Sequence, residues 1–140
     1  MAQLIEFIGN HVTLFLALAV ISALLAQNLM SGAGKSQIDN HRVTELINRD
    51  DAVVVDVRPM ADFTEGHIVN ALNIPLNGFK NQLGQLEKHR DKPIILTCRS
   101  GATSGSAYKL LIKEGFKQVH ELHGGMLAWQ SANLPISRKK

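Results

Sequence analysis

The chain has 140 residues, a formal net charge of +3 at pH 7 and one cysteine. That length suits one modest domain, and a lone cysteine excludes an internal disulfide and gives no reason to place the protein in an oxidising compartment. Its basic residues are scattered rather than clustered with aromatics, which argues against nucleic acid as a partner, and no internal repeat or low-complexity run stands out.

From Val12 to Ala26 the chain is almost wholly apolar and runs on through Gln27, Asn28, Leu29 and Met30; no Asp, Glu, Lys or Arg falls between Phe7 and Gly34. A helix over 12–30 would be about 28 Å long at about 1.5 Å per residue, close to the hydrocarbon thickness of a bilayer. It has no polar face of the kind a core helix of a globular domain shows. The segment ahead of it carries Glu6 and no Lys or Arg, unlike the basic start of a cleaved signal peptide. The sequence thus predicts a membrane anchor. Every Lys and Arg follows it, beginning with Lys35, Arg42 and Arg49, so the positive-inside rule places the rest in the cytoplasm, single-pass in the cytoplasmic membrane.

Residues 31–36 (SGAGKS) are small and polar and read as a flexible linker. Gly34-Lys35-Ser36 matches the end of a phosphate-binding P-loop, but the first glycine of that pattern and a preceding strand are missing, so no nucleotide site is assigned.

From Ile38 onward strands and helices alternate. Asp39 is placed to cap a helix to about Arg49, with Val43, Leu46 and Ile47 inward. The β-branched run Ala52–Val57 predicts a buried strand. Pro59 suits the first position of a short helix that Gly66 ends. His67–Pro75 reads as extended, and a polar helical stretch follows through Phe79, Leu83 and Leu86. Pro93–Thr97 is a second buried strand, and Ala107, Leu110 and Leu111 recur at helical spacing up to Gly115. Gln118–Leu122 is the last strand, and Gly124-Gly125 leads into a helix with Met126, Leu127 and Trp129. Strands joined by helical crossovers imply an α/β fold with a mostly parallel sheet covered on both faces.

The chemistry is expected between the second buried strand and its helix, in Cys98-Arg99-Ser100-Gly101-Ala102-Thr103. Ligands of such sheets bind beyond the carboxyl ends of strands. There the N–H groups of a tight loop opening a helix form an anion cradle. The same cradle, with Arg99 beside the sulfur, favours the thiolate and makes Cys98 a candidate nucleophile. A buried inert cysteine would instead be flanked by apolar residues. Asp56 and Arg58 at a strand end are expected to pair internally. His67, His120 and His123 lack metal-ligand spacing and are read as structural, and Met126 and Trp129 as packing. Arg138-Lys139-Lys140 is a solvated tail that could add weak attraction to an anionic membrane surface.

Together, Asp56-Val57-Arg58, Phe63, Glu65-Gly66-His67-Ile68, Ala71-Leu72-Asn73-Ile74-Pro75, Cys98–Thr103, Gly124-Gly125-Met126 and Ala128-Trp129 resemble the rhodanese-like domains over roughly residues 38–134. These are sulfurtransferases that carry sulfane sulfur as a cysteine persulfide. The resemblance implies a three-layer fold with a five-stranded parallel sheet, the catalytic loop following its fourth strand. It also implies a Cys98 persulfide and a substrate cradle of Arg99, Ser100, Gly101, Ala102 and Thr103. The partners it implies are a thiosulfate-like donor and a thiol or cyanide acceptor, with no cofactor or metal. Many single-domain members have arginine where this chain has Thr103, whereas thiosulfate-using members end the loop in threonine and have arginine second, as Arg99 is here. The six-residue loop and Thr103 disfavour a phosphatase. On this reading residues 1–11 are a short tail, 12–30 the membrane span, 31–37 a linker and 38–140 the rhodanese-like domain. The competing reading is a rhodanese-like module that docks a membrane or cytoplasmic partner without turnover.

Overall fold

The computed structural model describes residues 1–30 and 36–138, the side chains of 28–30 excepted. It divides into two compact units, 1–35 and 36–140.

The first unit is a helix pair, α1 (Ala2–Asn10) and α2 (Val12–Met30). His11 breaks the helical path with φ −124°, and the two axes diverge by 78°. Helix α1 carries Leu4, Ile5, Phe7 and Ile8 on one side, opposite Gln3, Glu6 and Asn10. In α2 the apolar side chains are exposed around the whole circumference, among them Leu14, Leu16, Leu18, Val20 and Ile21. Among the described residues no single helix is long and apolar enough to cross a membrane; α1 and α2 meet that criterion only as a bent pair. The last residues of the expected span, 28–30, contribute backbone alone, and residues 31–35 of the expected linker lie outside the described residues.

The second unit begins earlier than the hydropathy pattern suggests, because Ser36 is buried and β1 (Gln37–Ile38) already pairs with the sheet. The remaining elements are α3 (Asn40–Asp50), β2 (Val53–Asp56), α4 (Met60–Glu65), β3 (His67–Ile68), β4 (Leu72–Asn73), a 3₁₀ run (Phe79–His89), β5 (Ile94–Thr97), α5 (Gly105–Lys113), β6 (Val119–Leu122), α6 (Gly125–Ser131) and β7 (Ile136–Ser137). Strands β1-β6-β5-β2-β4, in that spatial order, form a five-stranded sheet in which every pair is parallel. In chain order β5 is the fourth of these strands.

Alternation along the central strands sorts the core into two layers. Val54 and Ile95 face Val43 and Leu46 of α3 and Met126 and Trp129 of α6. Val55, Ile94 and Leu96 face Ala107 and Leu111 of α5 and Phe79 and Leu86 of the 3₁₀ run. Each large side chain so buried contributes about 1.5–3 kcal/mol. The Asp39 carboxylate accepts from the Arg42 N–H at 2.9 Å and caps α3, worth about 1 kcal/mol.

Three details differ from the sequence reading or add to it. Pro59 is the N-cap of α4 rather than its first residue. Residues 79–89, read from the sequence only as helical, wind as a 3₁₀ run; Gly78, left-handed at φ 88°, starts it and Gly84 weakens its middle. Lastly, β3 does not join the main sheet but pairs antiparallel with β7. That pairing draws the C-terminal segment back over the domain, where Pro135 O accepts from Trp129 Nε1 at 2.9 Å.

Candidate active site

Every residue of β5 is buried, and the strand delivers Cys98 at its carboxyl end with only 2 % of the residue exposed. The chain then turns through a loop, with Gly101 left-handed at φ 89°, and enters α5. The turn folds the backbone around the sulfur. Gly101 N–H donates to Cys98 Sγ at 3.0 Å. The N–H and hydroxyl of Thr103 and the N–H of Ser104 make further hydrogen bonds to it. Burial alone pushes the Cys98 thiol pKa up; these donors at the start of α5 outweigh it and hold the thiol below its ordinary value.

The loop is braced from behind by α6. Met126 N–H donates to Cys98 O at 2.8 Å and Leu127 N–H to Arg99 O at 3.0 Å. A Cβ on Gly125, whose φ is +57°, would lie 2.4 Å from Cys98 O, so the approach of α6 to the loop requires glycine there.

Of the residues read from the sequence as the site, Gly101 and Thr103 hold the sulfur. Arg99, Ser100 and Ala102 are exposed. Arg99 lines a cavity of about 280 Å³ together with Arg58, Asp62 and Glu65 on one side and Met126 and Leu127 on the other. A larger concavity of about 580 Å³ runs along α3, lined by Asn40, His41, Thr44 and Glu45 among others, and none of its lining residues belongs to the Cys98 loop.

Asp56 and Arg58 form the internal pair expected of them. Arg58 Nη2 donates to Asp56 Oδ2 at 2.6 Å and Nε to Oδ1 at 2.9 Å. Nη2 also donates to Gly66 O at 2.7 Å, tying the end of β2 to the end of α4. His67 stacks on Phe63 with ring centroids 3.7 Å apart, and its Nδ1 lies 2.7 Å from Phe63 O. His123 Nδ1 lies 2.9 Å from Gln37 Oε1. Among the described residues no three His, Cys, Asp or Glu side chains are grouped to hold a metal ion.

Sequence reasoning gave Ser104, at the end of the Leu96–Ser104 stretch where the chemistry is expected, no role of its own, and missed Glu121. Ser104 lies one residue past the recognised loop, yet its N–H reaches the sulfur and its hydroxyl donates to buried Glu121 at 2.8 Å. A signal was present: Glu121 alternates with Val119 in the strand Val119–Leu122 and so shares that residue's inward face.

A parallel five-stranded sheet with a lone, amide-ringed thiol beyond its central strand defines a class of α/β proteins that work through a cysteine loop. The comparisons identify which one: the model of the family described as "Rhodanese-like domain" matches residues 39–132, and the chain belongs to that family. Over its whole length the chain is 39 % identical to YibN of Escherichia coli K12, described as an uncharacterized protein and likewise covered completely. It is 33 % identical to a sulfurtransferase of Allochromatium vinosum, over 72 % of this chain and 94 % of that one. It is also 33 % identical to the thiosulfate sulfurtransferase GlpE of Coxiella burnetii, over 68 % of this chain and 87 % of that one. Among solved structures, a rhodanese-related protein of Thermoplasma volcanium superposes with a TM-score of 0.66 at 27 % identity, covering 74 % of this chain and 98 % of its own.

Proposed function

We propose that the protein is a membrane-anchored sulfurtransferase that moves sulfane sulfur from a thiosulfate-like donor to a thiophilic acceptor through a persulfide on Cys98. The observation that carries this reading is the ring of donors from Gly101, Thr103 and Ser104 around the Cys98 sulfur. Sulfurtransferase relatives at about one-third identity support it.

In the first half-reaction the Cys98 thiolate attacks the outer sulfur of the donor. The new S–S bond forms as the donor's own S–S bond breaks, and sulfite leaves with the electron pair. In the second, cyanide or a thiolate attacks the outer sulfur of the persulfide, and Cys98 departs as the thiolate. No net redox equivalent and no cofactor enters either step. The amide N–H groups are set before the reaction begins, so they stabilise whichever anionic sulfur occupies the cradle without reorganising. Arg99, in the wall of the neighbouring cavity, supplies positive charge to draw in an anionic donor. Ser100 and Ala102 complete the cradle through their backbone.

We assign the anchor to α2 (12–30), which among the described residues reaches the length and apolarity of a span only together with α1 as a bent pair, and place the domain on the cytoplasmic side. Its support is the exposed apolar surface on every side of α2 and the confinement of all Lys and Arg to the chain after it.

The test is to incubate the 140-residue chain with thiosulfate and record its intact mass. A gain of one sulfur atom on Cys98, removed by cyanide, is the expected result. An unchanged mass with thiosulfate, and with polysulfide or cysteine persulfide as alternative donors, would remove the persulfide mechanism.

A further inference from the structure

We propose that Glu121 is a positioning residue for Cys98: its buried carboxylate holds the Ser104 hydroxyl so that the Ser104 N–H stays aimed at the sulfur. The inference rests on the reading of Cys98 as the nucleophile.

Ser104 is the N-cap of α5, where a serine ordinarily turns its hydroxyl onto the N–H groups of the helix's first turn. Here it makes no such bond. Its hydroxyl donates to Glu121 Oε1 at 2.8 Å. This diversion keeps the serine's hydroxyl off the N–H groups that open the helix, while the same residue's N–H bonds to Cys98.

The carboxylate is itself held in place. Ser36 Oγ donates to Glu121 Oε2 at 2.7 Å, and Glu121 N–H donates to Ser36 O at 2.8 Å. Glu121 is paired in register with Leu96, two residues before Cys98 on the strand that delivers the nucleophile. Ser104 is 0 % and Glu121 5 % exposed, so these bonds lie out of water, where each is harder to replace. Among the described residues Glu121 has no ion-pair partner. Its negative charge opposes a neighbouring thiolate. Its contribution to Cys98 is therefore geometric, through the hydroxyl it holds.

This separation of charge from geometry makes the proposal testable. Glu121→Gln and Glu121→Ala both remove the charge, but Gln keeps an oxygen for Ser104 and Ala does not. Because Cys98 is the only cysteine, thiolate absorbance and the pH profile of alkylation by iodoacetamide report on it alone. In the 140-residue chain, Glu121→Ala is expected to ionise Cys98 about half to one pH unit above Glu121→Gln, a roughly three- to tenfold smaller thiolate fraction below the midpoint. Ser104→Ala, which removes the bond from the other side and carries the test if Glu121→Ala does not fold, is expected to shift in the same direction relative to wild type.

A purely structural role would lower the melting temperature without separating the Ala and Gln titrations. If those two coincide while wild-type Cys98 titrates below a free thiol, or if folded Ser104→Ala titrates like wild type, this proposal is overturned and the nucleophile reading survives. A wild-type thiol that titrates like free cysteine overturns both.

Discussion

The N–H of Met126 donates to the carbonyl oxygen of Cys98 at 2.8 Å, so the first turn of α6 is fixed to the residue that carries the proposed nucleophile. Gly125 permits the contact, since a Cβ there would stand 2.4 Å from Cys98 O and 2.8 Å from the Arg99 carbonyl carbon. Gly125→Ala is therefore predicted to destabilise the fold by about 1–3 kcal/mol through backbone strain and to displace the loop. Urea unfolding and the alkylation rate of Cys98 check both effects. A variant as stable and as reactive as wild type would show that the brace is unnecessary.

The ionisation of Cys98 sets a pH dependence whose direction follows from its surroundings. Burial raises its pKa, and the hydrogen bonds from Thr103, Ser104 and Gly101 bring the net value below the ordinary one. A folded-state pKa below the unfolded one gives stability that is fully present above the unfolded value and is lost as pH falls through the folded value. The melting temperature of wild type relative to Cys98→Ser should thus rise with pH across the interval between the two. Thr103→Ala removes a hydroxyl but keeps the N–H, and should shrink that rise without abolishing it. A difference flat with pH in scanning calorimetry would contradict the assignment.

Asp56 is fully buried and Arg58 nearly so, and their pair is bidentate. Removing one partner strands a charge in the interior, which typically costs about 3–5 kcal/mol. Arg58→Met is expected to lose that much in urea unfolding. The double variant Asp56→Asn/Arg58→Met should lose clearly less than the two single losses added together. Additive losses would mean the two side chains act independently.

For the anchor, Leu18 lies on the exposed surface of α2. An arginine at the centre of a membrane helix costs about 2.5–3.5 kcal/mol on insertion scales. The 140-residue chain expressed in bacteria should sediment with membranes and resist a carbonate wash, and Leu18→Arg should move a measurable fraction into the supernatant. A wild-type chain extracted completely by carbonate would argue for peripheral attachment or none.

Much of this architecture was legible in the residues because the physics involved is local. Val53–Val55 and Ile94–Thr97 are β-branched or apolar runs in strands covered by their neighbours, and Asp39 caps its helix through a side chain three residues from its partner. The Cys98 turn was readable for the same reason. Contacts that close over long sequence distances were not. The β3–β7 ladder joins His67 to Ser137, and the Ser36–Glu121 bond spans 85 positions; neither leaves a periodic mark. Arg99, adjacent in sequence, was expected to add its charge to the loop's N–H cradle in favouring the thiolate. In the fold it is exposed in a cavity wall, while Thr103, Ser104 and Gly101 of the cradle hold the sulfur.

Whether Cys98 turns over sulfur is measured most directly as thiocyanate formation from thiosulfate and cyanide by the 140-residue chain beside Cys98→Ser. Saturable turnover is expected in wild type, and none above background in the variant. Equal rates in the two proteins, or no thiocyanate from wild type with thiosulfate or any other sulfane donor, would contradict sulfur turnover at Cys98.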